Sequence, residues 1–482
     1  MNSATQGSPK RAEVVVIGSG PGGATTASLL ADHGKDVIIL EEGSDLPLES
    51  CRPFGIDEMA QKYRAGGLNP ILGNAKVAFV EGRTVGGGSE INSGLYHRTP
   101  SKVLERWRDE FQTRESLEND LLPHFLSCEQ ALEVGTYPGL TPLGSRKLEI
   151  GAQHLGWRSL EVPRWFKFDG STGRDGSAQG TRQSMTKTFV PQALRAGASL
   201  LAETRVYRLQ RSGTGWKVLA TREGRPVEFR AETVFVCGGA VQTPLLLRRS
   251  GITRNIGNSL AIHPTVKAVA MFDEEVNHEE LGVAVHQVNE FSPRMSFGCS
   301  ISSLPHLGLA LADYPGFEHA IKSRWRYMAV YYAMIAGLPA GSIRPVFNLP
   351  DPLIRYHLSA QDLRDLATAL RRLTKLLLAA GARKVYPSIG CARPISAEDE
   401  ISTIPGELSP DRSNLMTVHL FSSCPMGEDQ TRCATNSMGK VHATTNLYIN
   451  DASLIPTAPG VNPQGTVMAL ARRNTLHFLG QL

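Results

Sequence analysis

The apolar positions of the chain settle into a pattern at "AEVVVIGSGPGGATTASLLADHGKDVIILEEG", an unbroken apolar run, a glycine turn, a small-residue stretch and a second apolar run closing on acid. Short continuous apolar runs mark strands covered on both faces. The stretch therefore predicts a strand, a helix and a parallel strand, the βαβ unit of a doubly wound sheet. Helical spacing dominates 102–135, whereas the glycine-rich, polar 165–185 predicts a loop. Strands return at 200–240 in "TRVYRLQR", "GWKVLATREG" and "ETVFVCGGA", and 265–350 mixes short alternating strands with loops. The clearest helix covers 359–380. Ser359 and Asp362 form a capping box, Leu363, Leu366, Leu370, Leu373 and Leu377 make one stripe, and Gly381 ends it. Near the C-terminus, "TVHLFSSCPMG" predicts a buried strand with Thr417, His419 and Phe421 on one face. Taken alone, His419 reads as a core histidine satisfied by hydrogen bonds.

Composition narrows the classes. At 482 residues the chain exceeds one comfortable core, so two domains or one large composite are expected. A net charge of +5 without basic blocks gives no reason to expect a nucleic-acid partner. No apolar run reaches the roughly 18 residues of a membrane span, and the short run after Lys10 and Arg11 reads as a strand, not a signal peptide. The seven cysteines are scattered without CxxC spacing, which suggests neither a disulfide framework nor a metal site and makes the cytoplasm the expected location.

Gly18, Gly20 and Gly23 follow the first apolar run as G-x-G-x-x-G, and Glu41 closes the second. In that context the first glycine allows the tight turn, the second lets a pyrophosphate approach the backbone, and the third lets helix pack on strand. The helix N-terminus faces the anion, and the acid accepts hydrogen bonds from a ribose. This predicts a dinucleotide site without choosing between NAD and FAD. A second such motif is absent.

"GRTVGGGSEINSGLYHR" (82–98) and "CGGAVQTPLLLRRSGI" (237–252) resemble the two signatures of the glucose–methanol–choline (GMC) oxidoreductases, with Gly88, Cys237 and Thr243 as departures. The block from "VHLFSSCPMG" through "NLYINDASLIPTAPGVNPQGTVMALARRN" is similar to the family's catalytic end. The resemblance implies an α/β fold: a Rossmann-like FAD-binding domain with a second, substrate-binding domain on an antiparallel sheet. The segments expected are 11–263 and 411–482 for FAD and 264–410 for substrate. The resemblance further implies FAD held by Gly18, Gly20, Gly23 and Glu41, by Gly86, Gly87, Ser89 and Asn92, and by Val206, Asp451, Ala452 and Pro463. Members with covalent flavin carry histidine where Ile91 stands, so noncovalent FAD is expected.

On the same resemblance His419 takes the hydroxyl proton of an alcohol while its carbon delivers hydride to flavin N5, and Asn462 holds the substrate oxygen. Read without the family, Asn462 before Pro463 is a helix N-cap with proline at the first helical position. That helix, aimed at the flavin, would stabilise negative charge there. His263 in "LAIHPTV", His442 and His477 read as structural, and Cys424 lacks partners for thiol chemistry.

The stretch 85–100 looks closest to members of aminoglycoside biosynthesis, which implies oxidation of a primary hydroxyl on a cationic amino sugar. Oxygen or another acceptor would reoxidise the flavin. "FDEEVNHEE" (272–280) reads as a solvated loop, or as an acidic collar for such a cation. Tyr331 and Tyr332 read as core or as pocket lining. The competing readings are an oxidase of apolar alcohols or sterols, a flavin-fold lyase without net redox, and an NAD-dependent dehydrogenase.

Overall fold

A computed structural model describes residues 10–173, 176–278, 284–390 and 393–481. Cys391, Glu279 and Glu280 lie outside the described residues. The apolar run Lys10–Ile17 forms a central parallel strand between Val37–Leu40 and Arg225–Val236. Both flanks are covered, and Val14, Val15 and Val16 are fully buried. Ser199–Leu201 extends the parallel edge. On the other side Thr204–Ser212 and Gly215–Arg222 continue an antiparallel meander from Arg225–Val236, whose far end also pairs with Leu447–Ile449. The helix Pro21–Asp32 covers one face. It is tied to the C-terminal helix Gln464–Phe478 through Asn450, whose amide donates to Thr26 Oγ1 at 3.0 Å.

A second sheet, of eleven strands among the described residues, is largely antiparallel. At its centre Thr265–Met271 pairs with Met328–Ile335, followed by Met295–Cys299, His286–Val288 and Ser159–Glu161. On its other side Thr265–Met271 meets Lys384–Pro387 and Leu415–Thr417, and the latter runs parallel with Val77–Phe79. The sheet thus draws strands from early, middle and late parts of the chain. Val266, Ala268 and Ala270 bury one face against the leucine stripe of the helix Ala360–Ala379. The expected capping box is present: Ser359 Oγ accepts from Asp362 N at 3.1 Å, and Asp362 Oδ2 accepts from Ser359 N at 3.1 Å. The alternate positions Thr265 and Lys267 face the opposite way, into a cleft between the two sheets.

Two expectations are corrected. The stretch 165–185 carries a hairpin, with Arg164–Thr172 paired against Ala178–Arg182 across register Phe166↔Arg182. The polar stretch 169–172 forms its exposed outer half, which needs no apolar alternation, while its inner end buries Arg164, Trp165 and Arg182. "TVHLF" is not one strand. Leu415–Thr417 ends in the large sheet, and Leu420–Phe421 starts a short ladder with Ala261–Ile262. Val418 and His419 form the step between them, held by Thr417 Oγ1, which donates to His419 O at 2.9 Å. The break takes His419 out of any pleat and turns it to the cleft.

Candidate active site

The cleft has a volume of about 620 Å³ and is walled by the glycine turn, by Gly87, Gly88 and residues 91–95, by the large sheet and by the start of the C-terminal helix. At one end Gly18 has φ +99°, and a Cβ there would lie 2.4 Å from Cys237 O. Gly23 is bare for packing, since a Cβ would meet Gly18 O at 2.0 Å. Gly20 differs: a Cβ there would meet nothing closer than Gly87 Cα at 3.9 Å. Its bare α-carbon faces the cavity, as the second glycine of a pyrophosphate turn requires. Gly22, which the sequence reading passed over, is as constrained as Gly23, because a Cβ would stand 1.8 Å from Asn450 O.

Glu41 lies on the cleft wall at the end of its strand. Its carboxylate accepts from Ser19 N at 2.9 Å, Ser19 Oγ at 2.7 Å and Gly43 N at 2.8 Å. Burial pushes its carboxyl above the ordinary range, against those hydrogen bonds. Gly87, Asn92, Val206, Asp451, Ala452 and Pro463 also line the cleft. Asn92 Nδ2 donates to Gln464 Oε1 at 2.7 Å, and Asp451 accepts from Gly239 N at 2.9 Å and Ser453 N at 2.8 Å. Gly86 and Ser89 stand behind the wall. Ser89 Oγ donates to Gly86 O at 2.7 Å and accepts from Met185 N at 3.0 Å, so this serine braces the loop from inside. The cavity-facing glycine, the buried acid and the long cleft beyond them fit a dinucleotide such as FAD.

His419 and Asn462 meet at the cleft wall, with His419 Nε2 3.4 Å from Asn462 Nδ2. The helix begins at Gln464 with Pro463 in the capping position and no side-chain cap, so Asn462 is not the N-cap that its sequence context suggested. Instead its Oδ1 accepts from Gln287 Nε2 at 3.3 Å, and the same amide donates to Tyr332 OH at 2.7 Å. Tyr332 therefore lines the cleft, whereas Tyr331 is core and donates to Gly144 O at 2.6 Å.

Behind His419 lies His263, fully buried, with the two Nδ1 atoms 3.0 Å apart. His263 Nε2 accepts from Gly460 N at 3.0 Å. A neutral His263 must then carry its proton on Nδ1 and donate it to His419 Nδ1. It follows that neutral His419 carries its proton on Nε2. Both nitrogens of the 3.4 Å contact thus bear hydrogen, so that contact is two adjacent donors at the wall and not a hydrogen bond between them. Burial, with His97 nearby, pushes His419 down to about 3. Burial and His419 push His263 far below the usual imidazole range. Burial also lowers His97 to about 4.

His263, Gln287 and Lys267 are the site residues that sequence reasoning missed. A signal existed for two of them. In "LAIHPTVKAVAM" the odd positions His263, Thr265 and Lys267 are polar while the even ones are apolar. His442 and His477 stay away from the cleft. Of the acidic run 272–280, the described carboxylates are engaged outside the cleft: Asp273 with Arg383, Glu274 with Lys147 and Glu275 with Arg326.

The N- and C-terminal sequence models described as GMC oxidoreductase match residues 15–265 and 342–471. A GMC-type oxidoreductase of Sinorhizobium fredii is 38% identical over 96% of this chain and 93% of its own length. A long-chain-alcohol oxidase of Arabidopsis thaliana is 27% identical, covering 96% of this chain and 67% of that protein. Among solved structures, pyridoxine 4-oxidase from Mesorbium loti superposes with a TM-score of 0.72 at 19% identity, over 97% of this chain and 99% of that one.

Proposed function

The chain belongs to the GMC oxidoreductase family, and from that premise we propose that it oxidises an alcohol to an aldehyde or ketone with noncovalent FAD as the bound oxidant. The observation that carries this reading is the pair of N–H donors, His419 Nε2 and Asn462 Nδ2, side by side on the wall of the cleft that also holds the glycine turn and Glu41. FAD, when bound, supplies a two-electron acceptor for the hydrogen leaving the carbinol carbon. The chain's own part is electrostatic. Two donors aimed at one oxygen stabilise the alkoxide character it takes on as the hydroxyl proton departs, an effect commonly worth about 10²–10³ in rate per donor. Burial fixes those donors before substrate arrives. Gln287 holds Asn462 and His263 holds His419, so neither needs to reorganise during the reaction. In this resting arrangement His419 Nδ1 accepts from His263 and its Nε2 carries hydrogen toward the cleft. His419 therefore acts as a donor to the substrate oxygen, and the hydroxyl proton released as the carbinol is oxidised goes to solvent.

The alcohol-oxidase relative supports an alcohol substrate. The finer expectation of a cationic amino sugar rests on the stretch 85–100 alone. The substrate end of the cleft carries Lys267 and His306 and, among the described residues, no carboxylate to balance an ammonium group. Ile91, where covalent members carry histidine, supports noncovalent flavin.

The test is an anaerobic absorbance titration of the purified protein with primary alcohols. Bleaching of the flavin band, slowed about 100-fold or more in Asn462→Ala, supports the reading. A flavin that stays oxidised with every alcohol points to a flavin fold without redox turnover. Flavin that remains with the acid-precipitated protein overturns noncovalent binding.

A further inference from the structure

Among the described residues two lysines are buried, and both are partnered. Lys62 Nζ donates to Pro47 O at 3.0 Å and Leu48 O at 3.3 Å, and Lys147 pairs with Glu274 and donates to Ala380 O at 3.2 Å. Lys267 points from the central strand of the large sheet into the cleft, and its ammonium group has no hydrogen-bond or ion-pair partner among the described residues. Lys267 is half-buried on the cleft wall, and its charge is left without a counter-charge once a ligand displaces the cleft solvent, which is costly. Burial alone lowers its amine to about 8, which leaves it mostly charged at neutral pH.

Its surroundings do not supply the missing anion. The carboxylates on the cleft wall belong to the nucleotide end or are already engaged: Glu42 and Glu81 with Arg64, Glu41 with Ser19, and Asp451 with Gly239. Lys267 is flanked instead by neutral groups. Tyr332 sits opposite it across the strands, and His306 is pushed down to about 4 by burial and by the lysine's own charge. Tyr332 connects through Gln287 to Asn462, so the ammonium group and the donor pair share one wall. His263 and Lys267 lie four positions apart in an extended segment, roughly 13 Å along the chain.

We propose that Lys267 anchors a carboxylate at the far end of the substrate, so that the enzyme acts on hydroxy acids whose hydroxyl meets His419 and Asn462. This rests on the alcohol-oxidation reading above. A single ammonium among neutral neighbours balances one negative charge, which suits a carboxylate better than a phosphate dianion. The spacing asks for several carbons between the two groups.

The test measures binding of hexanoate and of hexanamide to the FAD-loaded protein by perturbation of the flavin spectrum, in wild type, Lys267→Met and Lys267→Arg. Hexanoate is expected to bind about tenfold or more tightly than the amide. That preference disappears in Lys267→Met and returns in Lys267→Arg. Equal binding of acid and amide by wild type overturns the proposal without needing any variant, and so does a preference that survives in a folded Lys267→Met. Flavin reduction is then compared across ω-hydroxyalkanoates, matched primary alkanols and matched ω-amino alcohols. Faster reduction by the hydroxy acids supports the proposal, and equal reduction by all three overturns it while leaving alcohol oxidation standing. Hexanoate binding with no reduction by any alcohol overturns the proposal together with the alcohol-oxidation reading and leaves only an anion site.

Discussion

The backbone N–H of Gly460 donates to Nε2 of His263 across 3.0 Å, and this contact decides where the protons sit on His419. It forces the His263 proton onto Nδ1, the His419 lone pair onto Nδ1, and an N–H toward the cleft. His263→Phe keeps a ring in the same space but removes that donor. The expected result is a limiting rate of flavin bleaching lower by about 10–100-fold, together with a pH dependence that wild type lacks, because the freed His419 Nδ1 can take up a proton. A purely structural role for His263 would lower thermal stability and rate without creating the new pH limb. Rapid-mixing reduction kinetics across pH, beside a melting curve, separates the two.

Wild type itself makes the complementary prediction. With His419 near 3 and His263 far below its usual range, neither ring titrates in the range where an ordinary histidine base would. Reduction by an uncharged primary alcohol should therefore be flat from about pH 5 to 8, where a base of ordinary pKa would give a tenfold change per unit on its acid side. A rise in rate through about pH 6–7 would show that substrate-loaded His419 accepts the proton and that the resting tautomer is not the reactive one.

Two neighbouring glycines of one turn should behave oppositely. A Cβ on Gly20 meets only Gly87 Cα at 3.9 Å, whereas one on Gly22 would sit 1.8 Å from Asn450 O. Gly20→Ala should leave the stability of flavin-free protein within about 0.5 kcal/mol of wild type and weaken FAD binding, because its methyl group projects into the cleft. Gly22→Ala should destabilise the fold by about 2–3 kcal/mol or more through overpacking against backbone. Melting curves with and without added FAD read both effects. Equal FAD affinity in Gly20→Ala would mean that this turn does not meet the cofactor.

How far the sequence carried depended on whether a position was set locally. The apolar run Lys10–Ile17, the glycines after it and the leucine stripe of Ala360–Ala379 were legible, since period and turn chemistry act within a few residues. His419 was legible as a position but not as a geometry. Its strand breaks because its two halves pair with chain segments more than 150 residues away, Ala261–Ile262 and Val77–Phe79. Asn462 carried a local signal for a cap that the structure overrode by starting the helix at Gln464. Ser89 matched a motif whose Gly87 reaches the cleft, but its own hydroxyl turns inward to Gly86 and Met185. Lys267 stood in plain alternation with His263 and Thr265. Its lack of a partner is a property of the whole cavity, and no window along the chain contains it.

The buried neutral histidines also set the acid limit of the protein. His97 and His306 are lowered to about 4 and His419 to about 3, chiefly by burial. In the unfolded chain each returns to about 6.5. Above that value neither state binds a proton and the groups do not affect stability. As pH falls from 6.5 toward the folded values, the unfolded chain takes up protons that the native protein refuses, so stability is lost on acidification. For a group at about 4 the loss by pH 5 amounts to about 2 kcal/mol. Melting temperature should therefore fall steadily between about pH 7 and 5. His306→Asn, which keeps a donor for Ser303 Oγ in place of the ring Nδ1 now 2.8 Å from it, should reduce that slope by up to one proton's worth. An unchanged slope in His306→Asn would mean that His306 takes its proton in the folded state, and that the lysine beside it is already balanced by an anion.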